Sequence, residues 1–376
     1  DDLVLVILDA EGYLWEYGKK CTDCGIKQLT ERLAAKNLGL KAEDIVIAST
    51  HSHAAPEFLG GWGFVPDWYM KQVSETILST VESAVASQQP AILEYGEETA
   101  RAFNGERRET YRAAEEQNLA WLRATEASGR SGDPKDTIAT LGAYAGHPTT
   151  KGTNGGTASP DWPGFFENEL ESRFGGIGMH FMTGLGNLSA RGLPGGAGTL
   201  AGLIPDIGDG ATVGNPDIQT ARTTWAQPAT NVPLSALGLP GFFDRKFNQT
   251  PAELRTGKDP NMGQCVSASA VSVEVPVTAA RIGELAFTAA PGEIFANFSN
   301  TIKETSGAKV AFPLGQANDA LGYMPQSFEL NPVGQQGLGF AFGGVVFVNY
   351  EDSYAIDKCF GDKALETQIE LLNGLK

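Results

Sequence analysis

Hydrophobic positions along the chain fall into strand-sized runs and helix-spaced stripes. Leu3 to Leu8 is a continuous apolar run, Ile26 to Leu38 has helical spacing, and Asp44 to Ala48 reads as a buried strand ending at Thr50-His51-Ser52-His53. From Pro66 onward Val73, Ile77, Val81 and Val85 recur four residues apart, which predicts a helix with one apolar stripe, started at Pro66-Asp67. Thr137 to Ala145 and Met179 to Met182 read as strands bracketing a helix that begins near Asp161-Trp162-Pro163 and runs through Phe165, Leu170 and Phe174. Strands return at Val266 to Val275 and Glu284 to Thr288, and a last helix carries Leu365, Ile369 and Leu372. Residues 191–264, rich in Gly, Pro, Asn and Thr, lack periodicity and predict a long irregular excursion of the kind that walls a site or contacts a partner. The expected fold class is therefore α/β, with mixed β-sheets flanked by helices and long irregular loops. Candidate site residues lie on both sides of the excursion and no repeat or low-complexity linker divides the chain, so residues 1–376 are expected to form one composite domain.

Composition narrows the function classes. With 41% apolar and 19% charged residues the chain can bury a large core. A formal charge of −17 with no Lys/Arg run opposes nucleic-acid binding. The longest apolar runs, Leu3 to Leu8 and Gly343 to Val348, fall far short of the roughly 18 residues that span a bilayer. The sequence opens directly on a core-like strand, so an upstream segment, a signal peptide among the candidates, is expected to have been removed. Cys21 and Cys24 form a C-x-x-C, with Cys265 and Cys359 far away. A zinc ribbon would need a second close pair and a redox motif a thioredoxin-like context, whereas the even count allows two disulfides. The sequons at Asn187, Asn248 and Asn297 are compatible with export and glycosylation. Together these features point to a secreted protein.

The chemistry gathers around few residues. Two of only four histidines stand in His51-Ser52-His53 directly after an apolar strand, and in extended backbone residues i and i+2 share a face, a metal-ligand spacing. His147 ends the run Ile138 to Tyr144, and Glu293 follows Leu285 to Thr288 through Ala289-Ala290-Pro291-Gly292, so three apolar strands each deliver a donor at their carboxyl ends. That is where ligands of open α/β sheets collect. An isolated H-x-H is also what two polar strand-end residues look like.

The motifs together resemble the neutral, non-lysosomal ceramidase family, which builds a zinc site from a THTHS-type strand end, an HPT-type histidine, a PGE glutamate and a GY tyrosine. Here Thr50-His51-Ser52-His53-Ala54-Ala55-Pro56, His147-Pro148-Thr149-Thr150, Pro291-Gly292-Glu293 and Gly322-Tyr323 occur in the same order, and Gly184-Leu185-Gly186-Asn187-Leu188-Ser189 is similar to the family's GDVS stretch. The resemblance implies that His51, His147, Glu293 and Tyr323 bind Zn²⁺, with His53 beside the metal-bound water as proton carrier. It implies hydrolysis of the N-acyl amide of ceramide or a related N-acyl lipid by that water, which zinc makes a nucleophile near neutral pH. Arg107, in Asn104-Gly105-Glu106-Arg107-Arg108, stands nearest to the family's NRS-type arginine, against the plainer reading of a solvated surface arginine. Glu57 occupies a position where the family often has glycine, and it either narrows the entrance or faces solvent. No counterpart of the family's second site tyrosine occurs in Asn331 to Gly339, and the C-terminal immunoglobulin-like domain of longer ceramidases is not expected here. Phe58, Trp62, Phe64, Trp68 and Phe340 are candidates for lining an apolar slot beside the metal.

Two competing readings make different demands. A binuclear hydrolase on a (β/α)₈ barrel would need His180 as a further ligand, although it lies within strand-like Gly178 to Phe181. A non-catalytic secreted surface or assembly protein would keep the fold with a silent site.

Overall fold

The computed structural model describes residues 2–61, 65–108, 114–127, 133–152, 157–231, 234–235, 243–257, 264–330 and 350–375. Its strands in chain order begin with β1 (Val4–Leu8), β2 (Ile45–Ser49), β3 (Ala91–Thr99), β4 (Asn104–Glu106), β5 (Asn118–Glu126), β6 (Thr137–Tyr144) and β7 (Ile177–Met182). They continue with β8 (Leu188–Ala190), β9 (Ala211–Thr212), β10 (Ile218–Pro228), β11 (Ala252–Arg255), β12 (Val266–Ser269) and β13 (Ser272–Ile282). The last are β14 (Leu285–Ala289), β15 (Glu293–Ile294), β16 (Val310–Leu314) and β17 (Tyr323–Met324). The helices are α1 (Ile26–Ala34), α2 (Asp67–Ala86), α3 (Asp161–Phe174), α4 (Ala197–Ala201), α5 (Ala296–Thr305), α6 (Tyr350–Ser353) and α7 (Phe360–Gly374).

Two larger sheets carry the fold. One has the order β7-β6-β5-β3-β9 and the other β10-β13-β14-β16, and each mixes parallel and antiparallel pairs. Period-two alternation sorts their side chains into layers. From the first sheet Ala120, Leu141, Ala143 and Phe181, and from the second Ala280, Leu285, Phe287 and Phe312, meet in one central core, joined by Val46 and Ala48 of the parallel β1-β2 pair. The opposite face of the first sheet, through Leu119, Trp121 and Tyr144, buries Trp162, Phe166 and Leu170 of α3. Gly142 permits that approach, because a Cβ there would sit 2.6 Å from the Phe166 ring. The opposite face of the second sheet, Val273, Val275, Val277 and Ala279, is covered by Phe298 and Ile302 of α5 and Leu365 and Leu372 of α7. The layers run helix, sheet, sheet, helix, which is the mixed α/β class expected. Open sheets in these orders also exclude the eight-stranded parallel barrel.

Most of the expected elements form where the pattern places them. The Val73, Ile77, Val81 stripe lies on α2 and packs against Tyr13, Phe58 and Leu29. Helix α1 is shorter than expected, ending at Ala34. The expected strand over Val266 to Val275 is two strands, β12 and β13, broken near Ser269. Residues 191–264 are not wholly irregular: they contain β10, an eleven-residue strand fully paired with β13. The run Gly343 to Val348 lies outside the described residues.

Both pairs of cysteines are bridged, Cys21 to Cys24 and Cys265 to Cys359. The second spans 94 positions and ties the β11-β12 hairpin to the start of α7. On the chain-entropy argument a crosslink closing so long a loop contributes about 4–5 kcal/mol, whereas the three-residue step of Cys21–Cys24 contributes far less. Replacing Cys265 and Cys359 together by Ala is expected to lower the free energy of unfolding by about 2–5 kcal/mol in a denaturant titration. An unchanged midpoint would show that the denatured chain gains nothing from the release.

Candidate metal centre

Strand β2 stops at Ser49, and the chain turns at His51, which has a φ of 60°. Left-handed backbone is uncommon for a residue with a side chain and concentrates at functional positions. The expectation of extended alternation through His51-Ser52-His53 is corrected here: the two imidazoles meet because the backbone turns. His51 Nδ1 meets the Glu11 carbonyl at 2.5 Å. His147 follows β6, its N–H donating to the Leu188 carbonyl at 2.9 Å while its Nδ1 faces the Leu185 carbonyl at 3.3 Å. A carbonyl opposite Nδ1 holds the proton there and leaves the Nε2 lone pair for the interior of the site.

Glu293 and Tyr323 come together through pairing. They are opposite one another in the parallel β15-β17 ladder, and the Glu293 N–H donates to the Gly322 carbonyl at 2.8 Å. The Glu293 carboxylate thereby reaches the histidines: Oε2 lies 3.5 Å from His51 Nε2 and 3.6 Å from His147 Nε2. His53 Nε2 is 3.2 Å from both other Nε2 atoms. The donors arrive from separate ladders, since His51 follows β2, His147 follows β6, and Glu293 and Tyr323 lie on the β15-β17 pair, and not from the edge of a single sheet.

The geometry is compatible with a metal. Two donors of a tetrahedral set at about 2.0–2.1 Å from one ion lie about 3.3 Å apart, close to the 3.5 and 3.6 Å that separate Glu293 Oε2 from His51 Nε2 and His147 Nε2, and His53 Nε2, at 3.2 Å from both imidazoles, falls within the same spacing. Glu293 Oε2 is buried and makes no hydrogen bond among the described residues, an orphaned acceptor that would be costly without a cation. An imidazole and carboxylate set suits zinc among the common divalent ions. The other donor cluster among the described residues, Cys21, Asp23 and Cys24, offers no such site because both thiols are consumed in a disulfide.

Burial pushes the His147 imidazole well below its usual range, aided by Arg107 and the neighbouring histidines. Burial, His51 and Arg107 push His53 down to about 3. Both rings are therefore neutral at physiological pH, as metal ligation or proton acceptance requires. At His51 burial acts in the same direction but is outweighed by the carboxylates of Glu293 and Glu11, so its pKa is raised. Glu293 is the reciprocal case, burial raising it and His51 with Arg107 bringing it below the ordinary value.

Arg107 is not a solvated arginine. Its Nη2 donates to the Tyr323 hydroxyl at 2.8 Å and to the Gly186 carbonyl at 2.9 Å, and its Nε pairs with Glu351 at 2.8 Å. Tyr323 lies beside His147, ring centroids 6.3 Å apart. Tyr350, beyond the stretch where no second tyrosine occurs, meets the Tyr323 ring edge-on at 5.9 Å. His180 is remote from this cluster, fully buried on the helix side of β7 against Trp162 and Phe166.

A cavity of about 310 Å³ opens onto His51, His53 and Glu293, and its far wall is apolar, including Leu59, Leu234, Phe243, Phe247 and Ile356. These are not the aromatics nominated from sequence. Phe58 is packed in the core between Tyr13 and Tyr69, Trp68 is 66% exposed on α2, and Trp62, Phe64 and Phe340 lie outside the described residues. The Glu57 carboxylate, half-buried, accepts from the Gly61 N–H at 3.2 Å. Asn187 is fully buried, its amide donating to the Ala114 carbonyl and its oxygen accepting from Ala296 N–H, so it is not a glycan acceptor in the folded chain.

A layered α/β fold with a histidine and carboxylate cluster at strand ends defines the class. Among solved structures the chain is similar to the neutral ceramidase of Pseudomonas aeruginosa, with a TM-score of 0.66 and 16% identity over 99% of this chain and 67% of that one. A structure described as ceramidase complexed with C2 matches equally, with a TM-score of 0.66 and 16% identity over 98% of this chain and 66% of that one. The fold is thus neutral ceramidase-like, and the chain spans about two thirds of the length of these proteins. No family profile matches the chain, and no curated protein matches it by sequence.

Proposed function

We propose that this protein is a secreted zinc hydrolase that cleaves the N-acyl amide of ceramide or a related N-acyl lipid. The observation that carries this reading is the convergence of three imidazole nitrogens and the orphaned Glu293 oxygen beside a largely apolar cavity that His51, His53 and Glu293 line. We assign His51, His147, Glu293 and Tyr323 to the metal and His53 to proton transfer. His53 differs from the other two histidines in exposure, its side chain being 31% accessible against 4% and 1%, and among the described residues no backbone carbonyl faces its Nδ1.

Zinc, when bound, supplies a Lewis acid and an activated water. The chain's own groups do the rest. The apolar wall takes the acyl or long-chain base portion of the substrate and keeps bulk water from the amide. Arg107, fixed by Glu351, holds positive charge beside the Tyr323 hydroxyl, where the amide oxygen gains negative charge as water adds to the acyl carbon. His53 Nε2 takes the proton of that water and passes it to the amide nitrogen as the C–N bond breaks, leaving a fatty acid and an amine. Two disulfides, of the kind that persist in oxidising compartments, support action outside the cytosol. Among the described residues no helix is long and apolar enough to cross a membrane.

The test is metal content measured alongside release of fatty acid from N-acylsphingosine. About one zinc per chain is expected, with activity lost on chelation and restored by zinc alone. A chain that binds no zinc and cleaves no N-acyl amide in a panel of chain lengths would instead be a silent member of the fold.

A further inference from the structure

Glu11 belongs to none of the motifs that identify the site, yet it touches both histidines of the His51-Ser52-His53 turn. Its carbonyl oxygen meets His51 Nδ1 at 2.5 Å, and its carboxylate Oε1 faces His53 Nδ1 at 3.5 Å. The residue is held firmly enough to serve as a reference point. It is only 7% exposed, and its N–H donates to the Pro56 carbonyl at 3.1 Å. The next residue, Gly12, bridges to Glu57 and is packed so tightly that a Cβ would stand 2.7 Å from Ala320 Cβ. Main chain and side chain therefore act on different rings.

The two other histidines have their Nδ1 atoms facing backbone carbonyls, which makes one tautomer and one ring orientation preferable. Among the described residues no backbone carbonyl does this for His53. Its Nδ1 faces the Glu11 carboxylate, and its Nε2 points to the centre of the cluster. We propose that Glu11 is a positioning residue whose carboxylate holds His53 in the Nδ1–H tautomer with Nε2 directed at the reacting water and amide. At 3.5 Å the contact of the neutral ring with the carboxylate is longer than a good hydrogen bond, as is common at catalytic pairs before substrate arrives. This assignment rests on the hydrolase reading for its kinetic consequences, but the tautomer is a property of the folded chain itself.

Four histidines in the whole sequence make the tautomer directly observable. With histidine-selective ¹⁵N labelling of the zinc-loaded protein, and His53→Ala to assign its resonances, His53 is expected as the Nδ1–H form in wild type and as a mixture or the opposite tautomer in Glu11→Ala. Zinc content should stay unchanged, because the carbonyl that orients His51 survives the substitution. In turnover Glu11→Ala is expected to lower kcat about 10- to 100-fold with little change in KM, a loss of the size that outer partners of active groups cause. Glu11→Gln, whose amide oxygen still accepts from Nδ1–H, should recover part of it. Glu11→Ala combined with His53→Ala should be no slower than His53→Ala alone, since a positioning residue has nothing left to position. Additive losses, an unchanged His53 tautomer, or loss of zinc in Glu11→Ala would each overturn the assignment. Wild type that cleaves no amide but shows the tautomer shift would sink the hydrolase reading and leave the Glu11–His53 pair standing.

Discussion

Replacing His147 with Ala is expected to empty the metal centre and abolish hydrolysis while the chain stays folded. His147 is 1% exposed and sends Nε2 to within 3.6 Å of Glu293 Oε2, so its removal takes one donor from the set and leaves the carboxylate facing a void. Changes to outer partners of metal ligands already cost about 10- to 100-fold in affinity, and loss of a ligand should exceed that. The large core clusters do not include His147: it sits beyond the end of β6, whose Leu141 and Ala143 pack in the central layer regardless. Zinc per chain should fall from about one to near zero, activity should vanish, and the circular dichroism spectrum should match wild type. Should the variant retain its zinc, His147 is not a ligand, and the motif register that assigns the other three ligands is wrong with it.

The parts of the molecule that were legible in the sequence are those where one face is buried and local in origin. Helix α2 announces itself because Val73, Ile77 and Val81 share a stripe, and β2 and β6 because their apolar runs are buried on both faces. Strand β10 was not legible for the opposite reason. Ile-Gln-Thr-Ala-Arg-Thr-Thr-Trp-Ala-Gln-Pro is mostly polar, and several of its side chains are satisfied by remote partners: Thr220 by Asp44, Arg222 by Thr278, Gln227 by Asp357. No window of sequence contains those partners, so composition makes it resemble a loop.

The site divides in the same way. His51, His53, His147, Glu293 and Tyr323 were legible because each sits in a short motif next to a strand, and the structure gathers all five. Arg107 was a loose match, and its guanidinium contacts Tyr323, Gly186 and Glu351. Glu11, Glu351 and Tyr350 carried no signal: they are common residue types brought in by packing, at 5.9 Å for Tyr350 on Tyr323 and 2.8 Å for Glu351 on Arg107. Phe58 and Trp68 do not reach the cavity wall, to which the fold brings Leu234, Phe243 and Ile356 from much later in the chain. Even the reason given for the pairing of His51 and His53 changes, from extended alternation to a turn with φ 60° at His51.

Substitution of His53 by Ala should separate the two functions held by this turn. His51, sealed at 3% exposure and oriented by the Glu11 carbonyl, continues to offer its Nε2 to the metal, as do His147 and Glu293. What disappears is the ring that faces the cavity and can exchange protons there. A general acid–base group contributes about a hundred- to ten-thousand-fold in rate, so kcat should fall by about two to four decades. KM should change much less, because the lost interaction belongs to the transition state and the apolar wall that binds the substrate is untouched. Zinc content, measured on the same preparation, should remain at about one per chain. If zinc leaves together with activity, His53 is the third imidazole ligand that its 3.2 Å spacing would also permit, and the proton carrier must be sought elsewhere. If both zinc and turnover survive, His53 is a polar residue at the end of a strand, and the case for Glu11 as its positioning partner loses its kinetic arm.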